Sequence, residues 1–266
     1  MIKHIIDIDI YSAWLSYRAK FTYRAASILN LFTNSLLIVI NLFFWKAIYS
    51  GQDIISGFTL NGMLLYVILM RVMRMIYPLG TAKTYAELVK RGDVAAFLLK
   101  PVSIGNQMLS DALGNSFYRF LFCCLPLLLF IPVLGLGKEM ELLRVGLVLI
   151  WMVNAYLFLF LYEMIFGVLS YYTKNLWGME LFKNTVMVIM AGELLPISFY
   201  PKAVFEVLRY LPFSSVYYLP VTLLTGSALE GVGTFFIGLV MSNLFLFVLY
   251  KYLSKKMICH ITIQGG

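Results

Sequence analysis

Long apolar runs separated by short polar segments dominate the chain. A helix that crosses a bilayer requires about 20 predominantly apolar residues, and six runs reach or approach that length. The fifth run is short and unusually polar, and Pro126 and Pro132 are expected to kink the third. The pattern therefore predicts an all-α membrane protein with six transmembrane helices, at residues 25–45, 60–79, 108–133, 144–172, 179–195 and 232–252.

Residues 1–24 precede the first long run and have a helical period. Apolar and aromatic residues, among them Ile10, Trp14 and Tyr17, fall on one side of the predicted helix, and Ser16 lies with other polar residues on the opposite side. A helix with one apolar and one polar side can lie in the headgroup layer of a membrane. We therefore predict an N-terminal amphipathic interfacial helix at residues 1–24.

The most polar interruption of the pattern is the stretch TYAELVKRGDVAAFLLKPVS at residues 84–103. Thr84 and Glu87 have the spacing of a capping box, which predicts a short helix that begins there. Gly92 suits the left-handed residue that ends this helix, and Asp93 can cap a second short helix over residues 94–99. Two interpretations are open: a loop that lies on the lipid surface, or a segment that faces a partner.

The segment 196–226 has a different pattern. Prolines at 201, 212 and 220 separate apolar stretches that are too short to cross a bilayer. Irregular backbone is tolerated at membrane depth only where protein or water covers it. We therefore predict a re-entrant or surface hairpin at residues 196–226.

The charges of the chain indicate its orientation. Only 13% of the residues are charged, against roughly 25% in soluble domains, and the net charge of +8 comes from lysines and arginines near the ends of the apolar runs. This distribution argues against a nucleic-acid partner. With both termini in the cytoplasm, thirteen lysines and arginines lie inside and five lie outside. The positive-inside rule then places 84–103 in the cytoplasm and 196–226 outside.

Four charged residues fall within or close to the predicted spans, namely Arg71, Arg74, Arg119 and Glu163. An unpaired charge within a span costs on the order of 3 kcal/mol on the insertion scale. Judged by depth alone, Arg71 or Arg74 is the expected partner of Glu163. The alternative is that Glu163 reaches the cytoplasmic headgroups without a partner.

The sequence offers no pattern typical of a catalytic, cofactor-binding or metal site. His4 and His260 lie in the terminal segments, and Asp7 and Asp9 point to different faces of a helix. The segment GLGK at 135–138 lacks both the glycine spacing and the hydroxyl residue of a nucleotide-binding loop. We therefore predict that the chain is not an enzyme and binds no cofactor itself.

Four motifs follow one another in the chain. They are SYR at 16–18 with a second copy TYR at 22–24, WKAIY at 45–49, RGDVAAFLLKPV at 91–102, and GELLPISFYP with LPF and YLPVTLLTG between 192 and 226. In this order they resemble the permease subunits of type-2 ABC exporters, specifically a branch with six spans. The resemblance extends over nearly the whole chain, and the last three motifs are specific.

The resemblance implies a coupling helix between the second and third spans that docks on a separate ATPase. Phe97 is expected to be its aromatic anchor, because buried aromatic residues are frequent interface hot spots. A competing interpretation is that Phe97 dips into the bilayer surface. The residues expected to form the coupling element are Glu87, Arg91, Gly92, Asp93, Phe97, Lys100 and Pro101.

The resemblance also implies re-entrant helices on the outer face, between the fifth and sixth spans. Their apolar residues are expected to close the exit of the pathway, since they are poorly suited to face solvent. The pair Arg71 and Arg74 departs from the expected pattern and leaves the depth of the second span open. The gate residues are expected to be Leu195, Pro196, Phe199, Pro201, Leu211, Pro212 and Phe213.

The implied assembly contains two permease chains, either two copies or one copy and a related partner, in the plasma (inner) membrane. Two ABC ATPase subunits would hold ATP and Mg²⁺. A secondary transporter is an alternative, although two inverted halves with matching breaks are not visible. An intramembrane enzyme is less favoured, since clustered catalytic side chains are missing from the spans. Aromatic residues and methionines are compatible with an amphiphilic cargo, and equally with packing.

Overall fold

The computed structural model describes residues 2–137, 140–173, 175–225 and 231–260, and these residues are almost entirely helical. The predicted all-α membrane class is thereby confirmed. The α-helices of this part of the chain are α1 (Ile2–Lys20), α2 (Arg24–Ile48), α3 (Leu60–Ile76), α4 (Thr81–Arg91), α5 (Val94–Leu98), α6 (Ile104–Arg119), α7 (Leu125–Leu128), α8 (Phe130–Val133), α9 (Leu142–Thr173), α10 (Leu176–Met190), α11 (Lys202–Tyr210), α12 (Tyr218–Leu224) and α13 (Val232–His260).

Shorter elements connect these helices. A 3₁₀ turn, Phe21–Tyr23, joins α1 to α2, and a π-helical turn, Phe120–Cys124, joins α6 to α7. A second 3₁₀ turn, Ile197–Phe199, precedes α11. Two short antiparallel strands, β1 (Ile54–Ile55) and β2 (Phe58–Thr59), form a hairpin between α2 and α3. The sequence predicted only a polar loop at this hairpin.

Within the described residues, five helical segments are long and apolar enough to cross a membrane, namely Ala25–Ile48, Leu60–Arg91, Ile104–Val133, Leu142–Thr173 and Val232–Cys259. The predicted fifth span corresponds to α10, which has 15 residues. Its length of about 22 Å falls short of the roughly 30 Å hydrocarbon core. The six-span count therefore remains a prediction.

The helix α3 forms the centre of the bundle. In the segment Leu60–Arg91, which contains α3 and α4, 72% of the most apolar window is buried, against 11% in the windows of Ala25–Ile48 and Val232–Cys259. Tyr66 and Ile68 of α3 are almost completely enclosed, together with Trp151 and Leu159 of α9. The helices α2 and α13 therefore present most of their surface outward, as helices in contact with lipid or another chain do.

The third long helix departs from regular α-helical structure near both prolines. The π-helical turn ends just before Pro126, and the helical pattern breaks again at Leu129, between α7 and α8. Proline cannot donate a backbone hydrogen bond, so such breaks follow from its chemistry. The helix begins at Ile104 rather than near residue 108, because Ser103 caps it by accepting a hydrogen bond from Asn106 N at 3.2 Å.

The N-terminal α1 is a helix, as predicted, and it packs closely on α6. A Cβ atom at Gly114 would lie 2.1 Å from the carbonyl oxygen of Ala13, so only glycine allows this approach. Ser16 Oγ donates to Asp111 Oδ1 at 2.6 Å. The ring of Phe21 packs edge-on against Tyr118 at 5.2 Å. The face of α1 that packs on α6 therefore carries Ala13 together with Ser16, which was predicted on the opposite, polar side, while Ile10 and Trp14 are exposed.

Several residues used in the sequence analysis lie outside the described part of the chain. Lys138 and Lys174 were counted in the predicted orientation, and Gly226 was the predicted end of the hairpin. Met1, the first residue of the predicted interfacial helix, also lies outside.

Candidate coupling site at the start of α4

The polar stretch after α3 forms two short helices. Gly80 precedes α4 with a φ of 89°, and Gly92 ends α4 with a φ of 78°, both in the left-handed region that favours glycine. Gly92 ends α4, as predicted. The second short helix is also confirmed, and it ends one residue earlier than predicted. The predicted capping box is wrong, because Thr84 already lies inside α4 and its hydroxyl donates to Gly80 O.

A carboxylate from another helix caps α4. Glu163 Oε2 accepts hydrogen bonds from Ala82 N at 2.9 Å and from Gly80 N at 3.2 Å. The first backbone N–H groups of a helix have no partner within the helix and carry a partial positive charge. Glu163, near the C-terminal end of α9, therefore supplies both the acceptor and the negative charge that α4 lacks in its own sequence.

The same carboxylate forms an ion pair with α10. Lys183 Nζ donates to Glu163 Oε1 at 2.6 Å, and both side chains are only 1% exposed. The backbone carbonyl of Lys183 also accepts a hydrogen bond from the Tyr162 hydroxyl at 3.2 Å. We call Glu163, Lys183, Gly80 and Ala82 the charged junction. It joins α4, α9 and α10 at one buried point.

The expected pairing of Glu163 with Arg71 or Arg74 is therefore wrong. Arg74 instead forms an ion pair with Glu193, which follows α10. Arg71 Nε is buried without a hydrogen-bond partner in the described part of the chain. Arg119 donates to the carbonyl oxygen of Met75 at 3.4 Å. The position of Glu163 within a span indicated that a cation lies near it. It did not indicate which helix provides that cation.

Close packing reinforces the junction. A Cβ atom at Gly167 of α9 would lie 2.8 Å from Tyr85 Cδ1 and 3.2 Å from Ala82 O, so the absence of a side chain lets α4 lie directly on α9. Tyr85 is completely buried, in a cluster that includes Met164 and Val168. The start of α4 is thus fixed to α9 by both polar and apolar contacts.

The remaining residues of the predicted coupling element lie mostly on the surface. Arg91, Gly92, Asp93, Lys100 and Pro101 are exposed, whereas Glu87 and Phe97 are half-buried. A cluster of the chain's own residues covers part of Phe97. Lys100 Nζ lies 4.6 Å from the centre of the Phe97 ring.

The sequence analysis missed Leu99. Its side chain is 88% exposed, the most exposed large apolar residue of this stretch. Gln107 Nε2 fixes the chain on either side of it, by donating to Phe97 O at 3.3 Å and to Val102 O at 2.8 Å. The helical period placed Leu99 inside the second helix, and its position just beyond α5 turns it outward.

The segment after α10 folds back among the long helices. Tyr66 donates to Gly192 O at 2.5 Å, and Tyr77 donates to Val216 O at 2.9 Å. Tyr66 and Tyr77 are about 16 Å apart along the helix axis, so the segment follows α3 over most of its length. Trp151 Nε1 adds a bond from α9 to Ser215 O at 2.9 Å.

Two of the predicted gate residues, Phe199 and Phe213, pack against different helices. The Phe199 ring lies 5.6 Å from the ring of Trp45, near the end of α2. The Phe213 ring lies 5.7 Å from Phe158, in the middle of α9. Pro196 is buried and Pro201 is exposed, and the others are half-buried, namely Leu195, Phe199, Leu211, Pro212 and Phe213. The gate itself remains a prediction.

Long apolar helices arranged around a buried central helix, with a polar segment packed against them, define a polytopic helical membrane protein. Residues 35–265 match the family described as ABC-2 family transporter protein. The chain belongs to this family, and it is a membrane-embedded permease, as the resemblance implied. A comparison with curated proteins gives no match.

Proposed function

We propose that the chain is the permease subunit of an ATP-driven exporter and that the charged junction transmits movement from separate ATPase subunits to the spans. The single observation that carries this proposal is the capping of α4 by Glu163, which is at the same time paired with Lys183. A rigid displacement of α4 must move α9 and α10 with it, because all three share one buried polar cluster.

The geometry of α4 and α5 suits a lever. One end of α4 is fixed on α9, and the other ends at Gly92 beside exposed polar residues. An ATPase that contacts this second end would pull on the first. Two permease chains, identical or related, would rock against each other as two ATPase subunits close on ATP and Mg²⁺. Both termini and the α4–α5 segment would face the cytoplasm, in the plasma (inner) membrane.

The surface available to the ATPase centres on Leu99. Leu99 is 88% exposed beside Lys100, so its burial against a partner would remove apolar surface from water and stabilise the complex. Phe97 is half-buried, so a change there disturbs the packing of the chain itself as well as any partner contact. We therefore assign the principal anchor to Leu99 and a supporting position to Phe97.

The experiment that tests the proposal is copurification of the chain with its ATPase in detergent, followed by ATPase measurements in liposomes. We expect Leu99→Asp to lower ATPase recovery at least tenfold and to leave membrane insertion unchanged. Phe97→Asp should lower recovery and also the thermal stability of the permease. The matched control is Leu142→Asp, at a residue that is 87% exposed at the far end of α9.

Two outcomes would contradict the proposal. Wild-type recovery of the ATPase with Leu99→Asp would show that this surface is not the docking site. Transport of a cargo by the purified chain alone, in liposomes without any ATPase, would show that the chain is a secondary transporter.

A further inference from the structure

A groove runs along the outside of the bundle between the start of α6, the middle of α9 and the C-terminal half of α13. Its volume is about 680 Å³. Its long walls are apolar, with Leu109, Leu157, Phe160, Leu244 and Phe247 among the residues that line it. A groove of this size and character can accommodate hydrocarbon chains.

One end of the groove is positively charged. Lys251 and Lys255 are exposed and lie one helical turn apart, on the same face of α13. Ser103 and Asn106 line the same end, at the N-terminus of the 16-residue α6. That terminus adds a partial positive charge. None of the described residues that line the groove is acidic.

The length of the groove matches one leaflet of a membrane. Val240, at the apolar end, and Lys251 are 11 residues apart in α13. This separation corresponds to about 16 Å along the helix, and half of a typical hydrocarbon core is about 15 Å. A lipid whose headgroup lies at Lys251 would therefore extend its chains to the apolar end at the middle of the bilayer.

The wall of the groove is fixed. Asn243 Nδ2 of α13 donates to Asn154 Oδ1 at 2.5 Å and to Asn154 O at 3.0 Å, both on α9. At the charged end, a Cβ atom on Gly105 would lie 3.0 Å from the Tyr250 hydroxyl oxygen, so α6 and α13 approach each other closely there. Along the groove, α13 is therefore bonded to α9 at Asn243 and packed closely on α6 at Tyr250.

We propose that this groove is a binding site for an anionic phospholipid, with the phosphate between Lys251, Lys255 and the N-terminus of α6 and with an acyl chain along the apolar walls. Basic pockets between membrane helices favour anionic headgroups, and each lysine near a membrane surface contributes about 1 kcal/mol. Phosphatidylglycerol presents only the negative charge of its phosphate to the two lysines. A zwitterionic lipid presents a cationic group beside its phosphate, and Lys251 and Lys255 repel that group.

The test is native mass spectrometry of the purified chain, without ATPase, titrated with phosphatidylglycerol or phosphatidylcholine of identical acyl chains. We expect tighter binding of phosphatidylglycerol. Lys251→Gln and Lys255→Gln should each weaken it about fivefold, which corresponds to about 1 kcal/mol, and should reduce the difference between the two lipids. The charge control is Lys83→Gln with Lys90→Gln, at exposed lysines of α4 that do not line the groove.

A second variant tests the apolar walls. Leu157→Trp fills the groove and should weaken the binding of both lipids, whereas Val153→Trp, at an exposed residue of the same helix outside the groove, should not. Thermal unfolding in detergent verifies that each variant is folded.

Equal affinities for the two lipids would overturn the proposal. So would efficient cross-linking of two chains through Leu244→Cys, since a second copy would then occupy the groove. None of these measurements depends on the proposed coupling to an ATPase.

Discussion

Two ion pairs link the segments around α10 to the rest of the bundle, and protein encloses them to different degrees. Glu163 and Lys183 are both 1% exposed, whereas the side chains of Arg74 and Glu193 are 37% and 12% exposed. The first pair joins α9 to α10 and to α4. The second joins α3 to the segment that follows α10.

The carboxylates of Glu163 and Glu193 also differ in the number of hydrogen bonds that they accept. Glu163 accepts from Lys183 through one oxygen and from two backbone N–H groups through the other. For Glu193, the ion pair engages only Oε1, with Arg74. Burying a charge is costly unless every part of it is hydrogen-bonded. Both carboxylate oxygens of Glu163 are thus occupied, whereas protein encloses the second pair less completely.

Because protein encloses the two pairs to different degrees, we expect them to have different roles under the proposed function. A buried pair cannot separate without exposing an uncompensated charge to the protein interior. It is therefore suited to a permanent joint. A pair that protein encloses less completely can separate at a lower cost. It is suited to a contact that forms and breaks while the segment after α10 moves.

The largest expected effect is that of Glu163→Ala. The substitution leaves Lys183 charged and buried without a partner and removes the cap of α4. Removing one member of a buried pair costs about 3–5 kcal/mol. We expect a sharply reduced yield of folded protein and a strongly lowered unfolding temperature in detergent.

A double variant separates the charge from the packing. In Glu163→Gln with Lys183→Met no charge remains buried, and Gln can still accept a hydrogen bond from Ala82 N. We expect it to recover most of the lost stability. Glu180→Gln, on the same helix α10 but outside the junction, is the control. Wild-type melting of Glu163→Ala would refute the idea of a permanent joint.

A smaller effect is expected at Gly167. An alanine there brings a methyl group within 3.2 Å of a backbone oxygen of α4, so the two helices must separate. Such overpacking costs typically about 1–3 kcal/mol. We expect reduced stability and weaker stimulation of the ATPase. Gly146→Ala, on the same helix where no atom lies within 4 Å of the new methyl group, should leave both unchanged. Equal effects of the two substitutions would mean that the α4–α9 contact transmits nothing.

The apolar runs located most of the long helices because lipid or protein must cover such stretches wherever they fold. The predicted fourth span, for example, lies within α9 and differs from it by only a few residues. The partner of Glu163 was not accessible in the same way. Hydropathy gives the depth of a residue, but it does not tell which helices are neighbours. Lys183 was interpreted as an orientation signal at the start of a span, and it is instead a buried member of the junction.

The start of α4 illustrates a second limit of the sequence. Thr84 and Glu87 have the right spacing for a local cap, but a carboxylate from α9 provides a better one three residues earlier. A tertiary contact thus overrides the local motif. The β1–β2 hairpin was detectable, because Ser56-Gly57 is a two-residue turn sequence between apolar residues. Both turn residues have positive φ values, 49° and 85°.

The smallest expected effect on stability is that of the second ion pair. Arg74→Gln combined with Glu193→Gln, which leaves neither charge unpaired, should lower the free energy of unfolding by no more than about 1 kcal/mol, as is usual for partly exposed pairs. Their effect should lie in function, because the segment after α10 would lose a contact that selects one of its positions. Cysteines can be substituted for Phe199 and Phe213 and labelled from outside in the absence of nucleotide. We expect this labelling to be faster when the ion pair is removed than when it is intact. The exchanged pair, Arg74→Glu with Glu193→Arg, should restore slow labelling, since it restores the attraction. A loss of stability as large as that of Glu163→Ala would instead make this pair a second permanent joint, and the proposed division of work between the two pairs would be wrong.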